Sequence, residues 1–336
     1  MMNATSSAAG EREALMREGR PAVAVRLFGW LILAMLAGFL FNGYLTYVRG
    51  WPGAREALGE GGSLALAQMG LYAVMALAAF FYVNRTSALP LRIDADRISR
   101  FNAFLVRAAF WSVLLVGLAD AAISFLRVEG LLEAWVGADM TTDLGRSQYR
   151  GPVVHLPLIG IGILLALVTR TLGFTWLALL VVLAELVIVL ARFIFSYEQA
   201  FMGDLVRFWY AALFLFASAY TLIDEGHVRV DVLYAGMKNT TRGMVNAFGS
   251  ILLGVIFCWV ILFVGMGNKS AIIISPLVNF EVSQSGFGMY VKYLMAGFLA
   301  MFAITMMIQF VSYLFEAVAD WRGEPGAREV AAPSAH

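Results

Sequence analysis

The chain has 336 residues, of which 61% are hydrophobic and only 14% are charged. A soluble domain is about half apolar and about a quarter charged, so this composition predicts an integral membrane protein whose apolar surface faces lipid. The net charge of +1, the single cysteine (Cys258) and the three histidines give no reason to expect nucleic acid, a disulfide, a metal site, a haem or any other cofactor.

Eight windows of the sequence are long and apolar enough to cross a hydrocarbon core about 30 Å thick. The sequence therefore predicts an all-α integral membrane protein with about eight transmembrane helices. The windows are residues 27–48, 64–83, 104–125, 153–168, 172–195, 206–223, 245–264 and 290–315. The weakest boundary is the tight turn required at Thr169, Arg170 and Gly173, and without it the count falls to seven.

The distribution of positive charge predicts the orientation of the chain. Most of its 24 lysine and arginine residues fall in segments that are cytoplasmic when the N-terminus is inside. The positive-inside rule therefore predicts that both termini are cytoplasmic. Residues 127–150 then form the longest outward connector. The N-terminus lacks the pattern of a signal peptide, so we expect the first helix to be retained.

Two polar connectors, residues 89–107 and 231–242, mix apolar with charged side chains. Each can form an amphipathic helix on the cytoplasmic surface in contact with membrane lipids, and a solvated loop is the alternative. By content, the chain divides into a cytoplasmic N-terminal segment, a four-helix N-terminal membrane extension, a second four-helix region and a cytoplasmic tail that we expect to be disordered. Their ranges are 1–26, 27–170, 171–321 and 322–336.

Two ionisable residues lie inside predicted membrane helices, Asp120 in the third and Glu185 in the fifth. Because such residues are costly in lipid, both are candidate relay or ion-binding groups. The alternative is that each forms hydrogen bonds within the helix bundle or faces an outside partner. His155 is expected at the membrane interface. Glu316 and Asp320, at the end of the last helix, are expected to reach water.

Two broad functional classes are disfavoured by the sequence. It contains no pattern typical of zinc proteases, serine hydrolases or nucleotide-binding loops, so an enzyme is the weakest hypothesis. No internal repeat is visible, which weighs against a self-contained secondary transporter, since many of these are built from repeated halves. A transporter that acts alone through Asp120 and Glu185 stays as the alternative function.

The most informative stretch is residues 192–234. It starts with a short outward loop and continues as an apolar helix whose small residues let a neighbouring helix approach closely. The helix ends in a polar cluster that can form ion pairs and fix the following turn. The charged residues of the loop are Arg192, Glu198 and Asp204. The residues of the polar cluster are Asp224, Glu225, His227, Arg229 and Asp231.

This stretch resembles the small permease subunit of tripartite ATP-independent periplasmic (TRAP) transporters, the DctQ family, and the resemblance extends over about residues 185–321. The family usually has Glu where this chain has Asp204, and Gly-Ala-Ala where it has residues 217–219. Nothing in the resemblance concerns residues 1–170, which we interpret as an extra N-terminal membrane region. The matching residues are Arg192-Phe193, Asp204, 217–222, the more specific run from His227 to Val232, 285–290 and Gln309.

The resemblance implies a scaffold and docking subunit in a bacterial inner membrane, with no bond-making chemistry. A large permease would carry the substrate and sodium sites, and a periplasmic binding protein would deliver an organic acid. The residues that would face the periplasm and contact these partners are Arg192, Glu198 and Asp204. The residues that would organise the cytoplasmic turn are His227, Arg229 and Asp231.

Overall fold

A computed structural model describes residues 2–59, 62–170, 174–197, 201–223, 234, 236–283 and 288–327. The predictions that concern Glu198, His227, Arg229 and Asp231 lie outside these residues.

Eight helices of the described chain are long and apolar enough to cross a membrane, which confirms the predicted count and the all-α membrane fold. They are separated or preceded by four shorter α-helices and by one 3₁₀ helix, Ala54–Leu58. In chain order the helices are α1 (Met2–Arg17), α2 (Val23–Tyr47), α3 (Gly62–Arg85), α4 (Leu91–Val128), α5 (Leu132–Val136), α6 (Ala138–Leu144), α7 (Ser147–Val168), α8 (Phe174–Phe195), α9 (Met202–Ile223), α10 (Asn239–Met266), α11 (Ile274–Asn279) and α12 (Lys292–Trp321). The short ones are α1, α5, α6 and α11.

The chain forms two compact units, and each contains residues from both sides of residue 170. The first unit consists of Met1–Asn102, Thr221–Val260 and Met306–His336. The second consists of Ala103–Tyr220 and Ile261–Thr305. The predicted division of the membrane region at residue 170 therefore stays a prediction.

In the first unit, polar side chains join α2 to α3. The Asn42 amide donates to the carbonyl oxygen of Gln68 at 3.0 Å, and the Gln68 amide donates to the Thr46 hydroxyl at 2.9 Å. The Gln68 side-chain oxygen also accepts a hydrogen bond from the backbone nitrogen of Gly53 at 2.7 Å. Because hydrogen bonds between apolar helices fix their register, these contacts hold the α2–α3 hairpin.

The predicted amphipathic segment at residues 89–107 is helical, but it is the first part of the 38-residue helix α4 rather than a separate element. Its charged Arg92 and Asp94 are buried instead of facing water. The Asp94 carboxylate accepts hydrogen bonds from Arg26 Nε at 2.7 Å and from Trp30 Nε1 at 2.9 Å. The amphipathic pattern here reflects packing within the protein.

In the second unit, α9 occupies the core through one face. Phe208, Ala212, Phe216 and Ala219 of that face are buried. The ring of Phe298 packs on Phe208 and Phe216, with centroid separations of 5.1 and 5.0 Å. The alternation of alanine with phenylalanine agrees with close helix contact in an apolar solvent, where packing rather than hydrophobic burial drives association.

Candidate functional site

Two carboxylates of α4 are fully buried, Asp94 in the first unit and Asp120 in the second. Asp120 is the residue singled out by the sequence, and both of its oxygens have partners. Oδ1 accepts a hydrogen bond from Arg150 Nη1 at 2.9 Å and lies 3.0 Å from His155 Nε2. Oδ2 accepts a hydrogen bond from the backbone nitrogen of Tyr290 at 2.8 Å. The carboxylate is thus fixed from three sides.

Arg150 and His155 reach the same carboxylate because α7 contains a π-helical turn. Residues five apart in an α-helix point about 140° away from each other. Between Arg150 and Leu156 the helix instead has a π turn, Gly151–His155, in which hydrogen bonds span five residues. Residues five apart then lie nearly above one another, so Arg150 and His155 share one face.

Arg150 is fully buried and is oriented by further contacts. Its Nε donates to the carbonyl oxygen of Leu144 at 2.8 Å. Its guanidinium carbon lies 4.2 Å from the centre of the Tyr290 ring, a favourable cation–π contact. The Tyr290 hydroxyl donates to the carbonyl oxygen of Gly145 at 2.8 Å. The loop that follows α6 is therefore tied to the residues before α12.

His155 lies between Asp120 and Tyr293 and is buried within the protein, and its expected position at the membrane interface stays a prediction. Its Nδ1 is 2.7 Å from the Tyr293 hydroxyl, and the two rings are stacked with centroids 5.8 Å apart. A neutral ring that carries its proton on Nε2 satisfies both contacts: Nε2–H donates to Asp120 and Nδ1 accepts from Tyr293. We name Asp120, Arg150, His155, Tyr290 and Tyr293 the Asp120 cluster.

The contacts of the Asp120 cluster are those of a network that stabilises the fold. One carboxylate faces one guanidinium, and its oxygens are already occupied by protein donors. Among the residues that the structure describes, no group of three or more His, Cys, Asp or Glu side chains could hold a metal ion. Both carboxylate oxygens of Asp120 are satisfied, whereas Arg150 Nη2 is buried without a hydrogen-bond partner among the described residues. Buried polar networks in which most groups are paired rigidify a core. The arrangement matches the alternative in which Asp120 forms hydrogen bonds within the bundle.

Glu185, the second intramembrane acid, is not part of the Asp120 cluster. It lies in the middle of α8 and its side chain is exposed. It makes no hydrogen bond or ion pair with any residue in the described ranges. The two acids that look equivalent in the sequence therefore have opposite environments.

Two of the three predicted docking residues are described by the structure. Arg192 is exposed in the last turn of α8. Asp204 lies in the first turn of α9, where an acid complements the helix dipole, and its side chain is 16% exposed. Its Oδ2 accepts a hydrogen bond from the backbone nitrogen of Met289 at 3.1 Å and lies 3.4 Å from the Ser283 hydroxyl. Asp204 thus ties α9 to the segment before α12, and the docking role stays a prediction.

A further polar network in the first unit was missed by the sequence analysis. Buried Arg92 donates to Glu316 Oε2 at 2.5 Å and to Asp320 Oδ1 at 2.7 Å. It also donates to the backbone carbonyl oxygens of Glu324 and Pro325, each at 2.9 Å. The expectation that Glu316 reaches water is therefore wrong. The signal was the spacing of Glu316 and Asp320, four residues apart on one helix face.

Comparison with known proteins finds a similarity in the second half of the chain. Residues 178–320 match the model of the family described as tripartite ATP-independent periplasmic transporters, DctQ component. The match runs from α8 into α12 and covers less than half of the chain. No curated protein and no solved structure matches it. The family and the eight apolar helices indicate a multi-pass inner-membrane protein. Over the matched residues the chain is similar to the DctQ component of TRAP transporters, and it has further apolar helices N-terminal to the match.

Proposed function

We propose that this chain is the scaffold and docking subunit of a sodium-coupled transporter that imports an organic acid into a bacterial cell. Its partners would be a large permease subunit and a periplasmic substrate-binding protein. The observation that carries the proposal is the DctQ match over residues 178–320. In this arrangement both termini are cytoplasmic, as the distribution of positive charge indicates.

The interior of the protein supports a scaffold role. A moving or proton-carrying element needs ionisable groups whose partners change, whereas the Asp120 carboxylate is held by Arg150, His155 and the Tyr290 backbone at once. The Arg92 guanidinium is held by two carboxylates and two carbonyl groups. Such networks favour a single conformation. A rigid anchor is what a mobile permease subunit requires of its partner.

The proposed contact surfaces lie at the two ends of the DctQ helices. Arg192, Glu198 and Asp204 would face the periplasm and contact the binding protein or the permease. The exposure of Arg192 at the end of α8 supports this for one of them. On the cytoplasmic side, His227, Arg229 and Asp231 would organise the turn after α9. The alternative function is an autonomous transporter using Asp120 and Glu185.

The test is co-purification followed by reconstitution. The tagged chain is expressed with the large permease encoded beside it, and the detergent-solubilised eluate is analysed for both subunits. We expect a stoichiometric complex that takes up an organic acid in proteoliposomes only when the binding protein and a sodium gradient are present. A chain that purifies alone and transports by itself would overturn the proposal in favour of the autonomous transporter.

A further inference from the structure

The two intramembrane acids, Asp120 and Glu185, have different environments. Asp120 is buried and accepts hydrogen bonds on both oxygens, so its charge is balanced inside the protein. Glu185 is exposed about 15 Å from either end of α8, too far for its short side chain to reach water or lipid headgroups. A carboxylate facing hydrocarbon is strongly disfavoured. The group that satisfies Glu185 therefore lies outside the described chain.

The packing of α8 indicates which of its sides is free to contact a partner. Its contact with the rest of the second unit is a narrow stripe at seven-residue spacing, with Leu177 and Ala184 buried and Ala191 half-buried. Only 11% of its membrane span is buried, against 50% for the span of α12. We name the exposed face that includes Glu185 the Glu185 face; it is centred away from that stripe, and Glu185, the residue after Ala184, lies at its edge about 100° around the helix from Ala184. All members of this face are exposed. They are Val182, Glu185, Leu186, Val189 and Phe193.

A second copy of the chain is a poor occupant for the Glu185 face. Closed dimers are isologous, so the same surface patch meets itself across a two-fold axis. With the axis along the membrane normal, α8 would pack on α8 with the two Glu185 side chains at equal depth. Two carboxylates that approach each other in a medium of low dielectric constant repel strongly. The Glu185 face instead complements a different helix that presents a cation or a hydrogen-bond donor.

We infer that the Glu185 face of α8 is the transmembrane contact with the large permease subunit, whose facing helix supplies a basic or amide side chain to the Glu185 carboxylate. The inference rests on the proposed function, which provides the permease as a partner. It places the contact inside the DctQ-matched residues 178–320. Polar contacts between membrane helices select one partner and one register among many apolar surfaces of similar shape.

The experiment measures how much permease co-purifies with each variant of the full tagged chain in mild detergent. Glu185→Leu is expected to reduce permease recovery at least tenfold, because the donor on the permease is left without an acceptor. The matched control moves the acid around the same helix: Leu183→Glu combined with Glu185→Leu keeps composition and depth but presents the carboxylate on another side. We expect this double variant to bind as little permease as Glu185→Leu does. Leu183→Ala should bind as much permease as the wild type.

A second variant guards against a folding defect in Glu185→Leu. Val189→Trp adds bulk on the Glu185 face without touching the buried stripe, and it should also lower permease recovery while the chain alone stays monodisperse. Wild-type recovery with both Glu185→Leu and Val189→Trp would overturn the inference and indicate that this face contacts lipid. Disulfide-linked dimers of a Val189→Cys chain lacking Cys258 would overturn it in favour of a second copy. If the wild-type chain itself captures no permease, the proposed function fails instead.

Discussion

The backbone nitrogen of Tyr290 donates a hydrogen bond of 2.8 Å to the carboxylate of Asp120, which lies outside the DctQ-matched residues. The side-chain hydroxyl of Tyr293 lies 2.7 Å from His155 Nδ1. The start of α12, a helix of the DctQ region, is therefore held by two helices of the N-terminal region, α4 and α7. Within the second unit the N-terminal region is part of the core on which the DctQ helices are built.

Removing the Asp120 carboxylate should destabilise the protein strongly. In Asp120→Ala, Arg150 stays fully buried without its counter-charge, and breaking a buried ion pair in this way costs about 3–5 kcal/mol. We expect a markedly lower midpoint of thermal unfolding in detergent, measured by loss of the monodisperse peak. Glu185→Ala is the control and should leave the isolated chain unchanged, since that acid has no partner in the described residues. Equal midpoints for Asp120→Ala and the wild type would contradict the assignment.

Helix positions were predictable from the sequence because the bilayer fixes the length and apolarity of a spanning segment. Hydropathy reports depth, however, and not which way a side chain points around its helix. Asp120 and Glu185 were therefore indistinguishable, although one is buried and the other exposed. Arg150 and His155 are five residues apart, a spacing that signals a shared face only when the π turn between them is known.

Two glycines of α7, two residues apart, provide a matched test of helix packing. A Cβ added at Gly162 would lie 2.7 Å from the backbone nitrogen of Ser112 and 2.8 Å from its Cα, whereas a Cβ at Gly160 has nothing within 4 Å. Gly162→Ala forces α7 away from α4 and should destabilise by about 1–3 kcal/mol. Gly160→Ala should be neutral or slightly stabilising, because alanine favours the helix. Equal unfolding midpoints for the two variants would refute the close approach.

Removal of residues 1–170 should leave a DctQ region that does not fold alone. Asp120 and His155 would no longer bind the residues at the start of α12, and Glu316 and Asp320 would lose Arg92. Each carboxylate or hydroxyl left buried without a partner costs about 1–3 kcal/mol or more. We expect the fragment to aggregate during size-exclusion chromatography. A monodisperse fragment that still binds the large permease would instead show that the predicted boundary near residue 170 separates independent folding units.

Charge reversal at Asp204 should impair transport by the assembled complex. Asp204→Lys removes the acceptor for the backbone nitrogen of Met289 and places a cation near Arg207, which lies 3.5 Å from the present carboxylate. Loss of a hydrogen bond to a charged group costs about 1.5–3 kcal/mol in the contact between α9 and the segment before α12, so we expect uptake to fall measurably at equal membrane levels of the protein.

Arg207→Gln is the matched control for Asp204→Lys, because its side chain is 75% exposed and exposed ion pairs contribute little. It should transport at the wild-type rate.

Arg229→Glu tests the cytoplasmic turn in parallel and should also impair uptake if the polar cluster organises that turn. The measurement is sodium-driven uptake of the organic acid by proteoliposomes that contain both membrane subunits, with the binding protein added outside. Wild-type uptake with both Asp204→Lys and Arg229→Glu would remove these residues from the proposed mechanism, leaving the Glu185 face as the remaining candidate contact of the DctQ region.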